Sequence, residues 1–531
     1  MTASVTNRRE FLSFLGRDML LAGVGGTTAH EMGLVPGLAS AWADGNTRLS
    51  FGSLEPLAAL LAETAPDKIL RVVVPLIHQG TELRQIVAAA ALANARACGG
   101  EDYVGFHTFM ALAPALQMSR ELPSERKPLP ILKVLHRNSR CLEERGGSSA
   151  GDTLTLVAAT DGVKSSAVAL QDAVRGRDLK AAEQVFAGLS AGSPESAWND
   201  LLPTVHDGLD VHRTVLAHRA WDMLTLVGPE HANTLLRQSV HYCWKNEEYA
   251  AKRFAPLREL LPKLFDQHGL AGKKRGTREA DDTWLESTFR ALTTLAPAEA
   301  AGLVAAALAE GFSPNAITEA IALAANELVL RDEGRPPQWA QPNKPVGSVH
   351  GDSIGVHASD AANAWRYIAA ASSDRNCFAS LILSAYHVAM DYHESTRSVR
   401  AWSPRPTAEV LKSVTSEDPK TLLVELDGAI REKNQELVCG VVRRYCDLGH
   451  SHRPVLDLLL GYATSEDGAL HAEKYYRTTT DELARSRKQH QARQLVGLAR
   501  VTASEFGTPA PGYEEACGLL KVPMRDLVGR S

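Results

Sequence analysis

The sequence predicts an all-α fold, a large helical domain of packed helix pairs, and three observations point to it. Long alanine- and leucine-rich runs dominate: "TELRQIVAAAALANARA", "PAEAAGLVAAALAEGF", "PNAITEAIALAANELVL" and "DAANAWRYIAAA" repeat apolar residues at the spacing of one helix face. Strand-like alternation is rare. Only "ILRVVVPLI" and "TLTLVAATDGV" are rich in β-branched residues, and Pro75 weakens the first as an interior strand because it cannot donate to a ladder.

The chain of 531 residues, 44% apolar and 22% charged, is long enough to bury a sizeable core. Breaks are expected where glycine, proline or charge accumulate: "GGSSAGD" near 150, "GLAGKKRGTREADD" near 275 and "RDEGRPPQWAQPNKPVGS" near 340. The domain reading is therefore 1–43 as a leader and 44–531 as the helical body, with a break near 330–350 that would divide it into two lobes. The net charge of −5 is spread along the chain, and its lysines and arginines form no basic stripe, which argues against nucleic acid as a partner. No stretch of the mature chain reaches about 18 uncharged apolar residues, so no stable membrane span is expected.

The first residues read as an address. "NRREFLSFLG" sets Arg8 and Arg9 ahead of Phe11 and Leu12, "MLLAGVGG" follows, and "ASAWADG" offers cleavage after Ala41 or Ala43. This resembles a twin-arginine export signal, although Asn7 and Ser13 replace the usual hydroxyl and lysine and Asp18 shortens the apolar run. The resemblance implies the twin-arginine export machinery as a partner, a periplasmic or extracellular destination, and export in the folded state, often with a cofactor in place. Seven cysteines are scattered without C-x-x-C spacing, so neither a disulfide scaffold, a zinc ribbon nor covalent haem is expected.

Common catalytic signatures fail. No phosphate-binding Walker loop or dinucleotide fingerprint occurs, and His30–Glu31 has no second histidine four residues on. "GSSAG" at 147–151 fits G-x-S-x-G formally but follows a charged helix-like segment, so it reads as a flexible loop rather than a nucleophile elbow.

Histidines in apolar surroundings remain. His107 lies in "VGFHTFMALAPALQM", where the imidazole should be buried and in need of partners, and Pro114 is expected to kink that helix. In "DVHRTVLAHRAW", His212 and His218 are six residues apart, about 600° around a helix, so both cannot face one centre. His218 lies deeper in the apolar part and is preferred, which leaves His212 at the surface. His231 reads as a cap or stacking residue, and spacing does not decide His241. In "GSVHGDSIGVHASDAANAWRYIA", His350 sits in a glycine loop. His357 stands at a helix entrance that Ser359 or Asp360 would begin, with plain capping as the competing role. His78, His387 and His393 are not ranked by spacing.

"DGALHAEKYY" puts His471 and Lys474 three residues apart, on one helix face, with Glu473 well around it. An ammonium has no lone pair for a metal. Burial favours the neutral amine, which can add carbon dioxide and become an anionic oxygen donor. A solvated surface turn is the plain alternative.

"VHASDAANAWRYI", "HRAWDMLTLVGPEHANTLLR", "VGFHTFMALAP" and "ALHAEKYY", spread over residues 70–480, together resemble the questin oxidase-like family. That family contains helical non-haem iron oxygenases that cleave oxidised aromatic rings. The resemblance implies an Fe(II) centre held by several histidines and a carboxylated lysine, and the matching positions are His107, His218, His357, His471 and Lys474. It also implies dioxygen and an aromatic, phenolic or quinone-like small molecule as substrates, with Tyr475 and Trp365 as pocket candidates. The family's best-known members are intracellular fungal enzymes, whereas this chain carries an export address. Two other classes stay open: a zinc-dependent hydrolase using the same histidines, and a metal-free exported helical scaffold. On this reading Lys474→Ala abolishes metal retention and His212→Ala leaves it nearly intact.

Overall fold

The computed structural model describes residues 48–145, 151–159, 165–342, 344–393 and 399–524. The segment read as an export address, with its expected cleavage sites, and the "GSSAG" stretch apart from Gly151, lie outside the described residues. Within them the chain forms 23 α-helices and no strand, only four isolated bridges. "ILRVVVPLI" is not extended: it belongs to the helix Pro66–His78, with Pro75 inside it. Ile69, Leu70, Val73 and Val74 bury one helical face there, so packing overrides the β-branched composition. "TLTLVAATDGV" makes one bridge, Arg48 to Thr155, and its last residues lie outside the described set.

Ten helices frame the region of interest and are labelled in chain order: α1 Leu83–Cys98, α2 Tyr103–Glu121, α3 Leu129–Glu144, α4 Val211–Val227, α5 Ala232–Lys245, α6 Pro314–Arg331, α7 Ile354–Ala371, α8 Asp374–Tyr392, α9 His471–Arg485 and α10 Lys488–Glu505. Their starts follow from side-chain caps. Asp102, Asp210, Ser313, Ser353 and Ser373 each accept a backbone N–H from the first turn of α2, α4, α6, α7 and α8. Helix α7 therefore begins at Ser353, earlier than Ser359 or Asp360, and His357 lies inside its first turns. Helix α2 continues through Pro114 to Glu121.

Apolar side chains gather into three large buried clusters. Helix α7 contributes to all of them, through Trp365 and Ile368, Ala358 and Ala362, and Val356. It packs against α4, α6, α8 and α9, while α9 packs against α2 and α10. Helices α2, α4, α7 and α9 thus meet in the interior.

A buried charge cluster ties α5 to its neighbours. His241 Nδ1 lies 2.7 Å from Glu101 Oε1 and its Nε2 lies 2.9 Å from Glu183 Oε1. Burial lowers the pKa of this imidazole, but its hydrogen bonds to the two carboxylates outweigh burial and the net shift is upward. A group held above its unfolded value stabilises the fold fully below that value, about 6.5 for histidine. The contribution is lost as pH rises through the folded pKa. Thermal melts are therefore expected to show falling stability above about pH 6.5, with this component of the slope missing in His241→Gln.

Candidate functional site

Four imidazoles meet between α2, α4, α7 and α9. His107 and His212 approach with Nε2 atoms 3.2 Å apart, and His357 and His471 with Nε2 atoms 3.5 Å apart. The rings close a quadrilateral, with centroids 4.7 Å apart for His107–His212, 5.6 Å for His212–His357, 5.6 Å for His357–His471 and 5.2 Å for His471–His107.

The hydrogen-bond network assigns three of the tautomers. His107 Nδ1 is 2.7 Å from the Tyr103 carbonyl and His471 Nδ1 is 3.0 Å from the Ala469 carbonyl. His212 Nδ1 is 3.2 Å from Asp210 Oδ1. Carbonyls and carboxylates only accept, so each Nδ1 carries a hydrogen and each neutral ring presents its lone pair at Nε2. Burial pushes His107 and His471 well below the usual histidine range and His357 to about 3, with the Lys474 charge adding to all three. The His107 and His212 lone pairs thus face and repel one another, an opposition that a cation or a shared proton would relieve, whereas His357 Nε2 is free to donate to His471.

The chain spends backbone strain on His471. Gly468, Ala469 and Leu470 take φ of 51°, 46° and 66° in succession, and the latter two are non-glycine residues in the left-handed region. Each such residue costs on the order of 1–2 kcal/mol. The outcome is the Ala469 carbonyl set against His471 Nδ1. Gly351 is required opposite, because a Cβ there would lie 2.0 Å from His471 Cβ.

Buried polar contacts fix the helices that carry the rings. Asp210 caps α4 through the His212 N–H, holds His212 Nδ1 and accepts from the Tyr242 hydroxyl. Arg366 of α7 donates to Glu482 of α9 at 3.0 and 2.7 Å, and Asn363 donates to the same carboxylate at 2.9 Å. Lys133 of α3 donates to the Ala463 and Glu466 carbonyls at 2.8 and 2.6 Å and lies 2.7 Å from Glu473 Oε1. Glu473 thus points away from the histidines, as its place around the helix implied.

Lys474 lies on the imidazole side of α9 and is only 4% exposed, so it is no solvated surface residue. Burial lowers its pKa to about 8 against the opposing charges of Asp360 and Glu473. Asp360, which accepts from the Thr478 hydroxyl at 2.8 Å, is shifted upward by its own burial. Burial therefore moves both groups toward their uncharged forms, Lys474 downward and Asp360 upward.

A cavity of about 510 Å³ opens beside the cluster, with Asp210, His357, His387 and Met390 in its wall. Two exposed aromatics, Tyr249 and Trp339, also line it. Tyr103 is 61% exposed, and its ring lies 4.4 Å from that of His107 and 5.8 Å from that of His212.

Of the positions expected from sequence, the structure brings His107, His357, His471 and Lys474 together. His218 is elsewhere: its ring stacks on Tyr367 at 4.6 Å with an interplanar angle of 10°. His212 takes the fourth place, which corrects the expectation that it lies at the surface. Helix α4 is buried on nearly every side, so depth in an apolar run could not choose between the two. The overlooked signal was Asp210, two residues before His212 and able to orient an imidazole through Nδ1. Tyr475 and Trp365 are fully buried in apolar clusters and line no part of this cavity. His231 packs edge-on against Phe51 at 5.6 Å.

Among the described residues no three or more His, Cys, Asp or Glu side chains form a closed coordination set as they stand. The fold instead provides two nitrogen pairs at 3.2 and 3.5 Å. Neighbouring nitrogens on one ion with bonds near 2.1 Å lie about 3.0 to 3.4 Å apart, a range that the first pair meets and the second narrowly exceeds. Comparison of the chain with protein-family models, curated proteins and solved structures returned no match.

Proposed function

We propose that this protein is a metal-dependent oxygenase, an iron enzyme of the questin oxidase-like kind, acting on an aromatic, phenolic or quinone-like molecule held in the cavity beside His357. One observation carries the reading: three imidazoles with assigned Nε2 lone pairs, and a fourth within 3.5 Å of one of them, face a common centre. Imidazole suits iron, and a bound divalent iron would supply the one-electron chemistry that dioxygen needs.

His107, His212, His357 and His471 would hold the ion, with Lys474 as the fifth group. A neutral Lys474 amine can attack carbon dioxide: an N–C bond forms, one proton leaves, and the resulting carbamate is an oxygen donor that offsets part of the metal charge. The Asp360 carboxylate, which accepts from the Thr478 hydroxyl, is the neighbouring base that can take that proton. Asp210 and the Tyr103 and Ala469 carbonyls keep the rings oriented. Burial of His107, His471 and Lys474 keeps bulk water from that side of the set.

Zinc is the competing ion, because imidazoles suit it equally and a zinc-bound hydroxide would make the cavity hydrolytic. Export by the twin-arginine route to the periplasm belongs to the same proposal and rests on Arg8, Arg9 and the alanines at 39, 41 and 43. No helix among the described residues is long and apolar enough to cross a membrane.

The test is elemental analysis of the purified full chain beside its Lys474→Ala variant. About one iron per chain is expected, falling at least tenfold in the variant. Stoichiometric zinc would replace the oxygenase with the hydrolase. Undiminished metal in Lys474→Ala would remove the carbamate.

A further inference from the structure

The histidines of the cluster have an orienting partner on Nδ1 at His107, His212 and His471. His387 of α8 does not. Its Nδ1 is buried with no hydrogen-bond partner, yet the residue forms part of the wall of the 510 Å³ cavity that His357 also lines. An imidazole buried without partners costs free energy unless something else completes its hydrogen bonding. The same residue borders the open space of the cavity, from which a ligand can approach the ring.

The remaining walls restrict what that partner is. Met390, one helical turn on from His387, lies in the same wall and Trp339 lines the cavity from the opposite loop, surfaces that suit a flat aromatic body. Asp210, Asp352 and Asp391 are also in the wall, and among the described residues no lysine or arginine lines it. Arg335 and Lys344 hold Asp352 at 2.6 to 2.8 Å, and Asp210 is engaged by His212 and Tyr242. The carboxylates of the wall therefore disfavour a ligand bearing a carboxylate or phosphate. A cavity of this volume is of the size that encloses a small molecule.

We propose that His387 is a specificity-determining residue: it hydrogen-bonds a hydroxyl group of an uncharged aromatic ligand seated beside His357. The inference rests on the reading of this cavity as the substrate site. It does not depend on which metal the cluster takes. Burial lowers the His387 pKa to about 4, so the ring is neutral at physiological pH and both donates and accepts.

Binding of 2-naphthol, naphthalene and 2-naphthoate to the full chain, followed by fluorescence, tests it. Wild-type protein is expected to prefer 2-naphthol over naphthalene by about tenfold, the value of one neutral hydrogen bond, and to bind 2-naphthoate weakest. His387→Leu should bring the naphthol-to-naphthalene ratio to about one, and His387→Gln should restore part of it. Metal content should stay unchanged in both variants. A preference that survives in His387→Leu, or is absent from wild type, overturns the inference. Retention of the preference in protein that binds no metal would overturn the oxygenase reading and leave this one standing.

Discussion

His212→Ala is expected to weaken metal retention by more than about a hundredfold, whereas His218→Phe is expected to leave it unchanged. Loss of an outer partner of a metal ligand already costs about 10- to 100-fold, and here a ligand itself is removed. His212 Nε2 faces His107 Nε2 at 3.2 Å, so alanine breaks one of the two nitrogen pairs. His218 instead stacks on Tyr367, and phenylalanine preserves that packing. Competition with a chromophoric chelator measures both affinities, and denaturant melts establish that each variant is folded. Equal losses in the two variants would mean that His212 acts only through general stability.

The second large effect is structural. Lys133→Met leaves the Glu473 carboxylate, whose side chain is 0% exposed, without its cation. Stranding a buried charge in this way costs about 3–5 kcal/mol. Both Glu473 oxygens lack any other hydrogen bond, so no neighbour replaces Lys133. Lys133 also anchors the Ala463 and Glu466 carbonyls that precede the left-handed turn into α9, and metal affinity should fall along with stability. Lys133→Met/Glu473→Met is expected to recover most of the stability, since an apolar pair carries no stranded charge. Urea titration of the single and double variants measures this. A double variant as unstable as the single would show that the carbonyl contacts, not the ion pair, carry the energy.

The helical class was legible because long alanine- and leucine-rich runs offer few competing structures. The segment "ILRVVVPLI" was harder, since β-branched residues serve a buried helix face as well as a strand and only its neighbours decide. Three of the four converging histidines were named as a set through the family resemblance, since the residues alone left capping open for His357 and a solvated turn open for His471 and Lys474. His471 and Lys474 were readable from their shared face, and Glu473 from its opposite one. The choice between His212 and His218 was not legible from depth: six residues of rotation separates them, but which face of α4 looks toward α2 and α9 is a tertiary fact. His387 was equally opaque, because nothing in its local sequence records a cavity whose other walls come from α4 and α7.

Convergence also explains the strain around residue 470. Two non-glycine residues in left-handed backbone immediately before His471, and a glycine opposite without room for a Cβ, are costs that a plain helical scaffold has no reason to bear. They aim one imidazole at three others.

X-ray absorption at the metal edge of the purified full chain tests that convergence most directly. Four imidazole nitrogens near 2.1 Å, with the outer-shell scattering of their rings and a light oxygen donor lost in Lys474→Ala, are the expected result. A spectrum without imidazole scattering, or protein that holds no metal after reconstitution, would contradict a metal centre at these four histidines.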